Sequence, residues 1–420
     1  MAGDSQNVGV AGLISFIDAC PTPFHVVERA AALLAEAGFT PMDEAADWSD
    51  ASGCRYLCRG GSLVAWRHRT CEAGFRIIGA HTDSPNLRVT PRPDIGTAGF
   101  RQLGVEVYGG ALLNSWLDRD LGVAGRVATT EGTRLFCINQ PVLRVPQLAI
   151  HLDREVNQKG LLLNPQTHLV PLWGLGPRAV GEFAEVVAQA AGLDPMEVMA
   201  WDAMLHDLAP PTIGGINGEF LFAPRIDNQA SCWAGLQAML AAPADAVPSA
   251  VLCLFDHEEV GSTSPQGAMS TLLPGVLERI AGSRQALHPA LAKSLCVSAN
   301  GAHATHPNFA ERHEPDHPVT IGGGPVIKRN ANLRYATDAV GEAVFSAACQ
   351  QAEVAQQVYI HRGDMPCGST IGPFAAATTG VTTIDAGIPQ LSMHSAREMC
   401  GVQDPVDFAL ALGAFLRSAS

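Results

Sequence analysis

AVLCLFDHEEVGS, residues 250–262, changes character in the middle. Residues 250–255 form an unbroken apolar run, and Asp256-His257-Glu258-Glu259 follows at once. A short unbroken run suits a strand buried on both faces, where the alternation of a half-exposed strand is absent. The pattern recurs. Residues 75–80 end at His81, 294–299 at Asn300, 358–361 near Asp364, and 381–385 lead to the loop before His394. Helical patterns over 228–240 and 336–351 separate some of these runs. This alternation predicts an α/β fold, with a sheet covered by helices on both faces. In such sheets ligands gather beyond the carboxyl ends of the strands. Polar residues at those ends are therefore candidates for a site.

The stretch 88–224 reads differently. Residues 104–108 and 123–138 carry β-branched or alternating patterns, with a turn offered at Glu131-Gly132. A helix is expected over 179–191, closed by Gly192. Another is expected to begin at Asp194-Pro195-Met196-Glu197, which has a capping residue, Pro at the first position and Glu at the third. The predicted division is an outer domain of 1–87 and 225–420 and an inserted, mainly β domain of 88–224. Near the start, Thr22 caps a helix expected to run to Gly38, with Pro23 in its first turn.

The chain has 420 residues, more than one core usually spans, which also favours two domains. Hydrophobic residues make up 47% and charged ones 16%, an ordinary globular balance. With 27 basic and 41 acidic residues the net charge is −14, which gives no general attraction to nucleic acid or anionic lipid. An acidic substrate would need a local basic pocket. The opening residues lack the Lys or Arg of a leader, and no apolar run reaches the roughly 18–20 residues of a membrane span. The 11 cysteines form no paired CxxC framework, and Cys253 and Cys296 lie within apolar runs. A reducing, cytoplasmic setting is the simplest expectation.

Four places carry possible chemistry. Glu258 and Glu259 are adjacent carboxylates after a buried strand, an arrangement that a cation would stabilise, although a solvated loop accounts for it too. His81 is followed by Asp83, which could hold one ring nitrogen while the other binds metal; a strand-end His beside a surface Asp is the plainer reading. Asp227 opens a helix, as a cap or as a carboxylate bridging two metal ions. His394 lies in a loop, as a ligand or as a packed His. Together they offer two imidazoles and two carboxylates, a suitable zinc set.

At this point the chain resembles a known family. The stretches are PTPFH from Pro21, HTDSPNLRV from His81, YGGALLNSWLDRDLGVAGRV from Tyr108, and AIHLDREVN from Ala149. They continue with FAPRIDNQ from Phe222, DHEEVGSTSPQGA from Asp256, HATHPNF from His303, GPVIKRNANLRYAT from Gly324, PCGSTIGP from Pro366 and QLSMHSARE from Gln390. In this order, over nearly the whole chain, they resemble the aspartyl aminopeptidases, dinuclear zinc exopeptidases of metallopeptidase family 18.

The resemblance implies a peptidase domain with a central mixed sheet, interrupted by an inserted dimerisation domain, and homo-oligomers typically of twelve subunits. It implies peptide substrates with free acidic N-termini, and two Zn2+ per subunit for which Mn2+ or Co2+ could substitute. By family position His81, Asp227, Glu259 and His394 match metal ligands, Asp227 the bridging one. Glu258 matches the general base and Asp83 the acid that orients the His81 side. Where the family has a further Asp ligand, this chain has Asn300. An amide oxygen is a neutral, weaker donor, so one tight and one loose metal are expected, with a weakly active or non-catalytic homologue as an alternative. His151 matches a residue that contacts substrate across a dimer interface; a structural His at a strand end and a metal ligand are its other readings. Lys328 matches the residue that pairs with the substrate's acidic side chain, with Arg334, His303 and His306 as further lining. A dinuclear amidase or deacylase acting on small metabolites is the rival enzyme class.

Overall fold

The computed structural model describes residues 9–244 and 247–418. It divides into two compact units. The larger comprises residues 1–83, 211–393 and 398–420, and the smaller 84–210 with 394–397.

The larger unit is built on a nine-stranded mixed sheet. Ser249–Phe255 lies near its centre, antiparallel to Ser62–His68 and parallel to Phe75–His81. Leu295–Ala299 continues in parallel, followed by Thr382–Gly387. Val326–Arg329 then runs antiparallel to Thr382–Gly387 and parallel to Gln357–Ile360. The apolar runs are continuous because each face of the sheet has its own core. Ala250, Leu252 and Leu254 point into one cluster, while Val251, Cys253 and Phe255 point into the other. Successive side chains on a strand take opposite faces, so both sets must be apolar. Helices Val10–Ala19, Pro23–Glu36, Ile226–Ala241, Ala339–Gln351 and Asp404–Arg417 cover the first face. Leu272–Ala281, Arg284–Leu291 and Ile371–Thr379 cover the second. No helix among the described residues is long and apolar enough to cross a membrane.

A five-stranded sheet in the same unit runs Thr212–Gly214, Phe220–Ala223, Glu398–Gly401, Pro389–Leu391 and Ala302–His303. Because Thr212–Gly214 and Phe220–Ala223 pair here, residues 211–224 belong with the larger unit. The boundaries expected at 88 and 224 lie at 84 and 210 in this division.

The smaller unit is a six-stranded antiparallel sheet in the order Gly132–Leu143, Leu121–Thr129, Ala200–Asp207, Asn86–Thr97, Phe100–Tyr108, Leu172–Leu175. Helix Glu182–Ala191 packs on it through Phe183 and Val187, and Gly192 ends the helix in the left-handed conformation, φ 70°. The second helix expected here is only the 3-10 turn Pro195–Glu197. Its capping box forms, but the chain then pairs as strand Ala200–Asp207 with residues 121–128 of Leu121–Thr129. Sheet pairing overrides the local helix signal.

The cap at Thr22 carries a pH dependence. The Thr22 hydroxyl lies 2.7 Å from His25 Nδ1, and His25 is buried. Burial, aided by the positive Arg225, pushes the His25 imidazole down to about 4. The unfolded imidazole has the ordinary, higher value, so the folded chain binds fewer protons between the two. Stability is therefore full above about pH 6.5 and is lost as pH falls towards 4, by up to about 3 kcal/mol. His25→Gln should flatten this limb in denaturant titrations at pH 4.5 and pH 7.

Candidate metal centre

The parallel register pairs Phe255 with His81, so two adjacent strands end level. Thr82 N–H donates to Phe255 O at 2.8 Å and holds the two exits together. Beyond Phe255 the chain turns at His257, φ 64°, into a short 3-10 turn, Glu258–Val260, closed by Gly261 at φ 96°. The backbone N–H groups of Glu258 and Glu259 both donate to Asp83, to Oδ1 and Oδ2 at 3.1 Å each. One buried carboxylate thus fixes the turn that presents two others.

Asp83 also orders His81. His81 Nδ1 lies 3.0 Å from Asp83 O and 3.3 Å from Asp83 Oδ1. Both neighbours are acceptors, so Nδ1 carries the proton and Nε2 faces the other way. There Nε2 lies 3.5 Å from Asp227 Oδ1 and 3.8 Å from Glu258 Oε2. It is buried and makes no hydrogen bond of ordinary geometry among the described residues. One ligand atom from each of His81, Asp227 and Glu259 lies within 4.8 Å of the others. An imidazole nitrogen facing carboxylates away from water requires a positive charge between them.

The titration behaviour has the same origin. Burial by itself would push the His81 imidazole down, but Glu258, Asp227 and Asp83 more than offset it and hold it well above its ordinary value. Burial pushes the Glu258 carboxyl up to about 7, with Asp83 and Asp227 adding to it and His81 and Lys328 opposing. Protons here take the place that a divalent cation would fill, and cation binding would displace them. The donor set of one imidazole and two carboxylates fits zinc.

Asn300 follows the neighbouring Leu295–Ala299 strand. Its side-chain oxygen lies 3.3 Å from the Lys328 ammonium, which also donates to Asn300 O at 3.2 Å and Gly301 O at 3.1 Å. Lys328 is 2% exposed, with Nζ 5.1 Å from the centre of the Tyr335 ring. Tyr335 packs edge-on against Tyr359, and Tyr359 packs against His303. Lys328 and His303 are thus joined through two tyrosines that sequence reasoning did not single out. Tyr359 lies within the apolar run 358–361 and Tyr335 just after the basic stretch 328–334, and neither position marks them as neighbours of Lys328. Arg334 is exposed, with Nε 3.3 Å from Gly368 O.

The larger unit therefore brings together His81, Asp83, Asp227, Glu258 and Glu259, and Lys328 and Asn300 adjoin each other. His394 and His151 belong to the smaller unit. His394 Nδ1 lies 3.1 Å from Gly110 O, which assigns its proton to Nδ1. His151 is exposed, between Ile150 and Leu152, which are exposed as well.

The family model described as aminopeptidase I zinc metalloprotease, M18, matches residues 16–416. The chain belongs to the M18 family. A probable M18 family aminopeptidase 2 of Streptomyces coelicolor is 50% identical over 417 residues, 96% of each chain. Among solved structures, a chain of an Ape4 and Nbr1 complex superposes with a TM-score of 0.94 at 35% identity, covering 99% of this chain and 87% of that one. The S. cerevisiae mApe1 dodecamer superposes with a TM-score of 0.84 at 30% identity, covering 97% and 95%. As an M18 member the protein is a metallo-aminopeptidase of a zinc family, in agreement with the resemblance read from its motifs.

Proposed function

We propose that this M18 aminopeptidase removes acidic residues from the free N-termini of peptides in the cytoplasm. The observation that carries the reading is the convergence of His81 Nε2, Asp227 and Glu259 beside the Glu258 carboxylate. In this reading His81, Asp227 and Glu259 would hold divalent metal, and His394 would be the further ligand that the family resemblance implies. Zinc held there supplies Lewis acidity and lowers the pKa of coordinated water from about 15.7 towards 7. Glu258 takes the proton of the attacking water and returns it to the leaving amine. Asp83 keeps His81 and the Glu258-Glu259 turn in place. Lys328 places a buried positive charge beside Asn300, and Arg334 and His303, both exposed, would meet an incoming carboxylate. Self-association through the smaller unit is supported by the segment around His151, where Leu152 is 75% and Leu162 91% exposed. A twelve-subunit assembly rests on likeness to the mApe1 dodecamer. His151 would then reach substrate across an interface between copies.

The decisive experiment is a zinc-replete assay on unblocked and N-acetylated peptides led by Asp, Glu or Leu. Unblocked Asp and Glu peptides should be cleaved at least about tenfold faster than Leu peptides, the worth of one hydrogen bond to a charged group. Equal rates on Leu would remove the acidic preference, and cleavage of acetylated substrates would favour a deacylase. In the same assay Arg334→Met, at an exposed side chain, should lower kcat/KM on Asp peptides by about tenfold or more and change Leu peptides little.

A single tight metal is the reading that Asn300 favours, because its amide oxygen is neutral and already accepts from Lys328. Asn300→Asp should raise retained zinc after dialysis from about one to about two ions per chain, since an anionic carboxylate is the stronger ligand. Plasma mass spectrometry checks the count.

A further inference from the structure

Asp227 stands where helix geometry fails. The Ile226–Ala241 helix is preceded by Arg225 at φ 55°, and inside it Asp227 (φ −82°, ψ 105°) and Asn228 (φ −126°, ψ 26°) are not helical. A first turn of this kind has no regular ladder to place it, so other groups must fix its buried polar atoms. Three contacts do so. Asp227 N–H donates to Glu398 Oε2 at 2.8 Å, Asn228 Nδ2 to Ala299 O at 2.8 Å, and Gln229 Nε2 to Cys20 O at 2.6 Å. Of these three, the one with Glu398 acts on Asp227 itself and is the one with a charged acceptor.

Glu398 is 1% exposed. Burying a carboxylate is expensive unless hydrogen bonds recover the lost hydration, and a neutral residue would serve the strand as well. Its backbone is fixed by register. Glu398 pairs with Ala223 and Met399 with Phe222, on the strand that leads through Pro224 and Arg225 into Asp227. The ladder therefore sets the distance between the Glu398 carboxylate and the turn it holds. Asp83 does the equivalent for the other side of the centre, accepting from Glu258 N and Glu259 N.

The geometry points to Glu398 as a positioning residue: its buried carboxylate holds the Asp227 backbone so that the Asp227 side chain faces His81 and Glu259. This rests on the metal-centre reading above. The role depends on where the acceptor oxygen sits more than on its charge. Gln at 398 keeps an acceptor oxygen at the same reach, whereas Asp keeps the charge and withdraws it by one carbon–carbon bond, about 1.5 Å.

The test compares zinc affinity of the full chain, by competition with a chromogenic chelator, for the wild type, Glu398→Gln and Glu398→Asp. Steady-state kinetics on an unblocked Asp peptide accompany it. Glu398→Asp should lose about 10–100-fold in zinc affinity, the usual effect of removing a group that orients a ligand. Its kcat at subsaturating zinc should fall while KM stays. Glu398→Gln should stay within about threefold of the wild type in both, the rescue that placement predicts. If Glu398→Asp does not fold, Glu398→Ala carries the same expectation. Unchanged affinity in Glu398→Asp, or a loss in Glu398→Gln as large as in Glu398→Asp, overturns the assignment. A wild type that takes up no zinc overturns the metal-centre reading itself, and the assignment falls with it.

Discussion

Replacing Glu258 by Gln should lower kcat on an unblocked Asp peptide by about 10²–10⁴-fold, the usual worth of a positioned proton-transfer group. Zinc content and KM should stay near the wild type. Gln has the size of Glu, and the backbone N–H of residue 258 keeps its acceptor in Asp83. What disappears is the ability to take a proton and give it back. Glu258 suits that work because burial first, then Asp83 and Asp227, push its carboxyl up to about 7 against the pull of His81 and Lys328. A group balanced near ambient pH both accepts and releases, and a nearby cation shifts the balance towards the base form. If Glu258→Gln retained kcat within about threefold, Glu258 would not be the proton carrier.

Asp227→Asn should remove the metal. Its Oδ1 lies 3.5 Å from His81 Nε2, and its carboxylate is one of two in the converging set. Replacing it by a neutral amide should weaken zinc by more than about 100-fold, beyond the loss seen when a group that merely orients a ligand is changed. Turnover should fall to background. Stability separates this from damage to the fold. Ligand that binds only the folded chain stabilises by RT ln(1 + [L]/Kd), about 4 kcal/mol at a thousandfold excess over Kd. The wild type should melt higher with added zinc, and Asp227→Asn should not respond. Without zinc the variant should be as stable as the wild type or more so, because it carries one fewer buried negative charge. Calorimetric melts with and without zinc check both halves.

Much of the larger unit could be read from residues 75–81, 249–255 and 295–299. Burial on both faces turns each of these strands into a continuous apolar run, and the polar residue that ends each run marks the carboxyl end of the strand, where the proposed site lies. Long-range partners could not be read. Nothing near Lys328 in sequence says that its ammonium will be taken by Asn300 and Gly301, and nothing near Glu398 says that it will hold Asp227. Both contacts follow from strand register across distant segments. The turn at Asp194 failed for a related reason: its capping box is local and forms, but the residues after it belong to a sheet. The pairing of Thr212–Gly214 with Phe220–Ala223, and of the latter with Glu398–Gly401, likewise sets the unit boundary beyond the reach of local pattern.

His81, Asp227 and Glu259 are proposed to hold the metal on which turnover depends. Crystals of the active, zinc-loaded enzyme, with data collected on either side of the zinc absorption edge, test it directly. The expected result is an anomalous peak within about 2.0–2.2 Å of His81 Nε2 and of a carboxylate oxygen from Asp227 or Glu259. An active, zinc-loaded crystal with its anomalous density elsewhere, and none among these three side chains, would contradict the account.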